Sequence, residues 1–476
     1  MHRRQLFPLS IDNNQILIFL VKYYQKVILI IDVMDAVMPL SGTALGLVGY
    51  AVIALVLLLV IWKQLYVIPT LIIAPIAGAL IAGFSLEQIG SFTESGLQGV
   101  VGIVAMFAFA VWYFSLMREY GLFDPLVKRV IQGVANRPAM LTVGTVIIAM
   151  MTHLDGSGAT TMLITIPAMI PLYDALDVDR KILAALVGLT AGTMNMVPWG
   201  GVVVRGVSAI DPATIANVYN PMIPAHLAGL AMVLGISYRF SLSIRDDVSG
   251  FEQTQRQQLV NKALDGREGE IDWKWGINAV LTVLVIGALI SGITSPAVAF
   301  MLGLVAALVI NVRDYDQQKE VLEKYAADVM TYVGILFAAG VLIGVLQESK
   351  MIEQMARILL MIIPDTLGNF LPVVLGIIAM PASLLFSPDA FYFGVLPVVA
   401  ETGTQFGFSQ VAMVRAAIVG QMTVGFPISP LTGATFLLIG LAEVELGEHI
   451  RFTFPYMWIT SLVILAVGIL TGGIPI

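Results

Sequence analysis

Two acidic side chains interrupt long apolar stretches of the sequence and are the groups best suited to chemistry. Asp155 lies in the segment H-L-D-G-S-G (153–158), and Asp389 lies in S-P-D (387–389). An acid at membrane depth is a functional hypothesis by default. Two carboxylates suit a hard divalent cation with oxygen ligands, or they can bind and release protons. His153 adds a third group that could exchange a proton.

Two further interruptions occur at matching places in the two halves of the chain. Residues 187–201 read V-G-L-T-A-G-T-M-N-M-V-P-W-G-G, and residues 419–433 read V-G-Q-M-T-V-G-F-P-I-S-P-L-T-G, 232 positions later. Gly and Pro break a helix and leave backbone polar groups unpaired, which a bilayer tolerates only where the break lines a cavity. Such paired breaks indicate the substrate site of a transporter.

The chemistry of these four interruptions favours an anionic substrate. A helix that restarts after a break points free N–H groups and its positive dipole end at the site, and such ends bind carboxylates. An acid beside a bound carboxylate repels it unless a cation or a proton lies between them. The pattern therefore indicates a metal–carboxylate complex or proton coupling. Neutral hydrogen bonds to the substrate are expected from Ser157, Thr160, Asn195, Ser387, Ser429 and Thr432.

Each of these residues also has a purely structural alternative. Asp155 and Asp389 could cap helices, and the serines could satisfy nearby backbone groups. His153 could be a hydrogen-bonded tip residue rather than a proton relay. Arg205 could extend toward the external interface, or it could pair with a substrate charge.

Composition places the chain in the membrane. It is 58% hydrophobic and 12% charged, whereas soluble domains carry about 25% charged residues. We expect an all-α polytopic membrane protein, with the lipid bilayer and no nucleic acid as partner. Cysteine is absent, which excludes disulfides and thiolate chemistry, and no covalently bound cofactor is expected.

The apolar segments fall into two similar series. We expect an N-terminal extension (1–42), a first repeat (43–239), a cytoplasmic linker (240–273) and a second repeat (274–476). The first repeat would hold scaffold helices (44–117), a hairpin (138–173), a broken helix (182–206) and a last helix (221–238). The second would hold scaffold helices (275–347), a hairpin (368–400), a broken helix (410–440) and a last helix (453–472). An amphipathic stretch near 121–133 would lie at the cytoplasmic surface.

The hairpins determine the topology. If each is re-entrant, each repeat crosses the membrane five times, and an odd number inverts the second repeat relative to the first. With the linker inside, 17 of the 25 Lys and Arg residues lie on the cytoplasmic side and two lie outside. That bias agrees with the positive-inside rule.

The same segments resemble a known family. Five segments carry the likeness: H-L-D-G-S-G-A-T-T-M-L-I-T-I-P-A-M-I-P-L-Y (153–173), A-G-T-M-N-M-V-P-W-G-G (191–201), S-P-D-A-F-Y-F-G-V-L-P-V-V-A-E (387–401), I-S-P-L-T-G-A-T-F-L-L-I-G-L-A (428–442) and V-E-L-G-E-H-I-R-F-T-F-P (444–455). They resemble the citrate–magnesium/calcium:proton symporter family of the ion transporter superfamily. The likeness covers roughly 43–476.

The resemblance implies a cytoplasmic-membrane carrier with an elevator mechanism, a scaffold, a mobile transport domain and a homodimer. It implies symport of citrate complexed with Mg²⁺ or Ca²⁺, driven by protons. From the residue chemistry above, we expect the cation at Asp155 and Asp389 and the protons at His153, Asp155 and Asp389. The first tip departs from the family pattern, because Ser157 stands where a second acid is frequent. Neither tip carries the Ser-Asn-Thr motif of sodium-coupled relatives, which favours protons.

Three other functions remain open at this point. A proton-coupled carrier of a free di- or tricarboxylate would use the same fold without a metal. An intramembrane hydrolase could use His153 with the two acids, although no paired nucleophile motif is present. A passive channel would lack coupling altogether.

Overall fold

The structure, a computed structural model, describes residues 39–61, 65–244, 271–312 and 314–476, and helices are the only regular secondary structure in these ranges. The helices of the first half are α1 (Gly42–Ile61), α2 (Val67–Ile81), α3 (Leu86–Glu119), α4 (Asp124–Asn136), α5 (Leu141–Thr152), α6 (Gly158–Ala175), α7 (Arg180–Met194), α8 (Gly201–Ala209) and α9 (Ile223–Ile244).

The second half repeats this order with one additional helix. Its helices are α10 (Trp273–Ser291), α11 (Pro296–Asn311), α12 (Tyr315–Lys324), α13 (Ala326–Glu348), α14 (Met351–Leu360), α15 (Leu371–Ala382), α16 (Leu396–Gln405), α17 (Gln410–Ala417), α18 (Gly433–Ala442) and α19 (Leu446–Leu470). A turn at Pro388–Ala390 and a π-helical turn at Phe391–Val395 lead into α16. The additional helix is α12, which has no counterpart between α2 and α3.

The third helix is longer than the sequence pattern predicts. It has 34 residues and begins at Leu86, whereas the apolar run begins near 98. Ser85 and Gln88 form a reciprocal capping box that starts the helix. The first turns are polar and exposed, so hydropathy alone misses them.

Long helices α1, α2, α3, α10, α11 and α13 form one packed group. α3 packs against α13 and α11, and α2 packs against α13. The crossing of α3 and α13 depends on glycine, because a Cβ on Gly344 would lie 2.3 Å from the Phe92 carbonyl oxygen and 2.7 Å from Gly96 Cα. These two helices therefore approach more closely than residues with side chains would permit.

The hairpins and broken helices form a second group. α5 and α6 pack on each other and on α7, while α15 and α16 both pack on α17. α9 packs on α5, α19 packs on α15, and α9 and α19 pack on each other. Corresponding helices of the two halves thus make the same packing contacts.

Shorter helices lie beside both groups. α4 is the amphipathic helix predicted near 121–133 and packs on α5, whereas α12 and α14 were not predicted. At the end of α12, the Lys324 ammonium donates a 2.8 Å hydrogen bond to Glu119, which raises the pKa of Lys324. Most of the predicted extension (1–38) and most of the linker (245–270) lie outside the described residues.

Six helices in the described ranges are long and apolar enough to cross a membrane: Gly42–Leu59, Leu86–Glu119, Ile215–Ser243, Trp273–Ser291, Val329–Glu348 and Leu446–Leu470. Five further apolar helices are shorter, and they include α2, α11 and arms of both hairpins. The all-helical architecture expected from composition is confirmed.

Candidate functional site

Both hairpin tips and both helix breaks meet at one cavity of about 430 Å³. Gly156 and Asp389 come from the two tips, while Asn195 and Thr432 come from the two breaks. α6, α8 and α18 all begin at this cavity, because Gly158, Gly201 and Gly433 line it. Free N–H groups at three helix N-termini can therefore face a bound anion.

The first break is fixed directly to the second. α7 ends at Met194, and the Asn195 side-chain amide donates a 2.9 Å hydrogen bond to the Met422 carbonyl oxygen. A Cβ on Gly192 would lie 2.5 Å from the Thr423 carbonyl oxygen. Because the two backbones touch, the breaks hold each other in a fixed relation.

The first hairpin tip is a tight turn. Gly156 has a φ of 74°, in the left-handed region that favours glycine. Ser157 is the N-cap of α6, and its hydroxyl accepts a 3.3 Å hydrogen bond from the Thr160 backbone N–H. The Trp199 indole N–H, from the first break, donates a 2.8 Å hydrogen bond to the Leu154 carbonyl oxygen. The break therefore braces the tip.

Asp155 in this tip is paired with an arginine. Its Oδ1 accepts a 2.8 Å hydrogen bond from the Ser157 backbone N–H, and its Oδ2 lies 2.9 Å from Arg118 Nη1. The same nitrogen donates a 2.8 Å hydrogen bond to Thr160 Oγ1. The N-cap role considered for Asp155 belongs to Ser157 instead.

A second cavity of about 390 Å³ adjoins the first, and Gly156 and Ala159 line both. Asp155, Ser157 and Thr160 line this second cavity together with Arg118. Those predicted site residues that line a cavity are therefore divided between two neighbouring cavities that share the first tip.

Asp389 in the second tip also has an arginine partner. Arg205 Nε, on α8, lies 2.7 Å from Asp389 Oδ1, and the two side chains are 8% and 14% exposed. Ser387 is the N-cap here, because its hydroxyl accepts a hydrogen bond from the Ala390 N–H. The N-cap reading of Asp389 and the outward-extending reading of Arg205 are both wrong. Ser387, Asp389 and Arg205 all line the first cavity.

The second break contributes Thr432 to the cavity but not Ser429. Ser429 is 1% exposed, and its hydroxyl accepts a 3.2 Å hydrogen bond from the Leu431 N–H. The Thr432 hydroxyl donates to the Phe426 carbonyl oxygen at 2.8 Å and lines the cavity. The geometry gives Ser429 a backbone partner within the break and leaves Thr432 able to face a ligand.

His153 lies behind the first tip, fully buried. Its Nδ1 lies 2.8 Å from the Thr161 hydroxyl. Its Nε2 has no hydrogen-bond partner among the described residues. The imidazole lines neither cavity.

Metal-binding side chains are sparse. No group of three or more His, Asp or Glu residues able to hold an ion occurs within the described ranges. The two acids lie on separate tips, each beside its own arginine. A cation here would need most of its oxygen ligands from its counter-ion or from water.

Two residues of the site were missed from the sequence. Arg118 was assigned to a cytoplasmic loop position, but it belongs to the last turn of α3 and reaches the first tip. Trp199 lies within the repeated motif, yet its role as a brace needs the fold. The only sequence signal for Arg118 is an arginine at the end of an apolar helix.

Comparisons with known proteins identify the family. The citrate transporter family CitMHS matches residues 27–420, which includes part of the predicted extension. The Mg²⁺/citrate complex secondary transporter of Bacillus subtilis (strain 168) is 34% identical over 438 residues, 91% of this chain and 99% of that protein. The citrate transporter of the same organism is 33% identical over 428 residues, 90% of this chain and 99% of that protein.

A solved structure shows a related fold. MtrF of Neisseria gonorrhoeae, described within a class of antimetabolite efflux pumps, has a TM-score of 0.55 at 11% identity. The match covers 80% of this chain and 83% of that one. The likeness concerns the fold alone.

These findings confirm the resemblance seen in the motifs. The chain is a multi-pass membrane protein of a transporter family rather than an enzyme, so the hydrolase alternative is set aside. The chain belongs to the citrate transporter family.

Proposed function

We propose that this protein is a secondary active transporter that carries citrate, complexed with a divalent cation, together with protons across the cytoplasmic membrane. The observation that supports this most is the cavity of about 430 Å³ where both tips and both breaks meet. Its volume lies within the range of small-molecule sites, roughly 300–1,000 Å³. The names of the Bacillus subtilis relatives point to the same cargo.

The cavity offers a carboxylate several donors. The N-termini of α6, α8 and α18 supply backbone N–H groups, and Arg205 supplies a positive charge. Asn195 and Ser387 supply neutral polar groups. Thr432 also lines the cavity, but its hydroxyl proton is donated to Phe426, so it would offer its lone pairs to a cation. Ser157 and Thr160, in the neighbouring cavity, would contact a ligand that extends past the first tip. Ser429, with its hydroxyl turned to the backbone, would support the break.

The acids suit the cation of the complex. Asp389 uses only Oδ1 for Arg205, so its second oxygen is left for a cation in the cavity. Asp155 could supply a ligand from the other side of the tip. Since Mg²⁺ and Ca²⁺ require six or more oxygens, citrate and water would provide the rest. A cation held this way would travel with citrate as cargo.

Proton coupling would use the same region. Asp155 and Asp389 can take up protons when no cation neutralises them, and the buried His153 keeps Nε2 without a partner among the described residues. A loaded site with compensated acids would cross the membrane more readily than one with bare charges.

We further propose an inverted-topology repeat with an elevator mechanism. The recurrence of contacts with the halves exchanged supports the repeat. The hairpins and broken helices would form the transport domain, and the group built on α3 and α13 would form the scaffold. Membership of the family favours a homodimer held through the scaffolds.

A free di- or tricarboxylate is the second candidate cargo. Each acid has an arginine partner within the protein, so a metal is not required to balance its charge. In this case Arg118 and Arg205 would contact substrate carboxylates directly, because guanidinium groups match carboxylate geometry.

Uptake measurements decide between these functions. Labelled citrate is offered to proteoliposomes under an inward proton gradient, with saturating Mg²⁺ or Ca²⁺ or with a chelator. Uptake that requires both cation and gradient supports metal–citrate symport. Uptake that persists in chelator supports the free carboxylate. Equilibration without accumulation would indicate a passive channel, and no citrate uptake would refute citrate as cargo.

A further inference from the structure

Arg118 joins the two packed groups of helices at the first hairpin tip. It lies in the last turn of α3, which packs on α13 and α11. Its Nη1 contacts Asp155 Oδ2 at 2.9 Å and Thr160 Oγ1 at 2.8 Å, both on the hairpin. Its guanidinium also lies over the Tyr325 ring, 5.6 Å from the centroid. One side chain therefore connects the proposed scaffold to the proposed transport domain.

With the Arg118 contact, both oxygens of Asp155 are hydrogen-bonded. Oδ1 accepts the Ser157 N–H and Oδ2 accepts Arg118 Nη1, and the Asp155 side chain is 4% exposed. Asp389 differs, since among the described residues its one hydrogen-bond partner is Arg205, at Oδ1. A cation could reach Asp389 without disturbing Arg205. At Asp155, a cation in the neighbouring cavity would compete with the Arg118 guanidinium for Oδ2.

We propose that Arg118 is a tethered cation that competes with the divalent cation of the cargo for Asp155. Where no cation is bound, Arg118 would hold the Asp155 carboxylate and connect the hairpin tip to α3. Binding of the cargo cation releases that tie. The Arg118 side chain is 25% exposed and lines the neighbouring cavity, so the released guanidinium has space to move there. This inference rests on the proposed function, because it requires a cation in the cargo.

If Arg118 competes with the cation, its removal should strengthen binding of the cargo cation, whereas removal of an arginine that binds the substrate should weaken binding. Removing Arg118 removes the competitor, so the cation should bind more tightly at a fixed citrate concentration. It also leaves Asp155 buried without its charged partner, which destabilises the protein when no cation is bound. The cation should then restore more stability to the variant than to the wild-type protein.

The test measures Ca²⁺ binding in the presence of citrate by calorimetry, and thermal unfolding with and without Ca²⁺, on the full chain in detergent. For R118Q we expect the apparent Ca²⁺ dissociation constant to fall about tenfold, as loss of a competing contact worth about 1.4 kcal/mol would produce. R118K retains a positive charge and should stay within about threefold of wild type. The matched control is R129Q, because Arg129 is exposed on α4 and has no ion pair in the described structure.

A second pair of variants keeps the inference testable if R118Q proves unstable. In a D155N background the competition has no target, so D155N and R118Q/D155N should bind Ca²⁺ equally. Unchanged or weaker Ca²⁺ binding by R118Q would overturn the inference, and weaker citrate binding would show that Arg118 contacts citrate directly. If wild-type protein shows no Ca²⁺-dependent citrate binding, the proposed cargo fails first and the inference falls with it.

Discussion

Replacement of Asp389 by Asn leaves the Arg205 guanidinium buried without its counter-charge. The two side chains are 14% and 8% exposed and meet at 2.7 Å. Two unit charges about 4 Å apart interact by about 4 kcal/mol at an effective dielectric constant of 20. Removing one member of a buried pair costs about 3–5 kcal/mol. We therefore expect D389N and R205Q each to lose about 3 kcal/mol of stability.

The double variant R205Q/D389N separates pairing from packing. It removes both charges, so its loss of unfolding free energy should be smaller than the sum of the two single losses by at least about 2 kcal/mol. Unfolding is followed on purified protein in detergent, free of citrate and divalent cations. The control is R357Q, which breaks the Glu353–Arg357 pair, whose side chains are 41% and 63% exposed. A pair so open to solvent contributes about 0–1 kcal/mol.

Two results would refute this reasoning. If D389N and R205Q are as stable as the wild-type protein, the ion pair contributes nothing to the stability of the fold. If the double variant loses the sum of both single losses, the two charges do not stabilise each other. In either case Asp389 would have to be explained by ligand binding alone.

Three further predictions concern the supports of the site. G344A should destabilise the protein by about 1–3 kcal/mol through overpacking at the α3–α13 crossing, whereas G235A, at an open helical position, should be neutral or stabilising in the same unfolding assay. W199F should keep an aromatic ring at this position but remove the indole N–H that donates to the Leu154 carbonyl oxygen. We expect the KM for citrate uptake to rise about fivefold, as a cost near 1 kcal/mol implies. An unchanged KM would contradict the bracing role. N195A should separate the two breaks and reduce uptake at least about tenfold with normal expression, and retained uptake would show that the amide is dispensable.

The sequence predicted the interruptions well because they carry their own chemistry. Gly, Pro and polar residues inside apolar runs are visible locally, and both tips and both breaks were expected to converge, as the cavity now shows. The beginnings of helices were harder to predict where their first turns are rich in polar residues. Hydropathy could not detect the first turns of α3, although the capping box at Ser85 and Gln88 is a local signal that would have shown them.

Partners across the fold could not be predicted from the sequence. Arg118 and Asp155 are joined only because α3 ends beside the first tip. Arg205 was considered as a charge partner, but its pairing with Asp389 depends on where α8 restarts. The position of Ser429, with its hydroxyl turned to the backbone, likewise follows from the path of the second break.

The two arginine–acid pairs break the symmetry of the repeat. Exchange of the halves at the offset of 232 places Arg118 on Lys350, just after α13, but it places Asp155 on Ser387, so the acid of the first pair has no acidic counterpart. The position matching Arg205 in α18 is Leu437, an apolar residue that lines the cavity. In an inverted repeat, exchanging halves converts an inward-facing state into an outward-facing one. If the halves form the proposed inverted repeat, unequal pairing would make the two states unequal in energy, and the carrier without cargo would rest mostly on one side of the membrane.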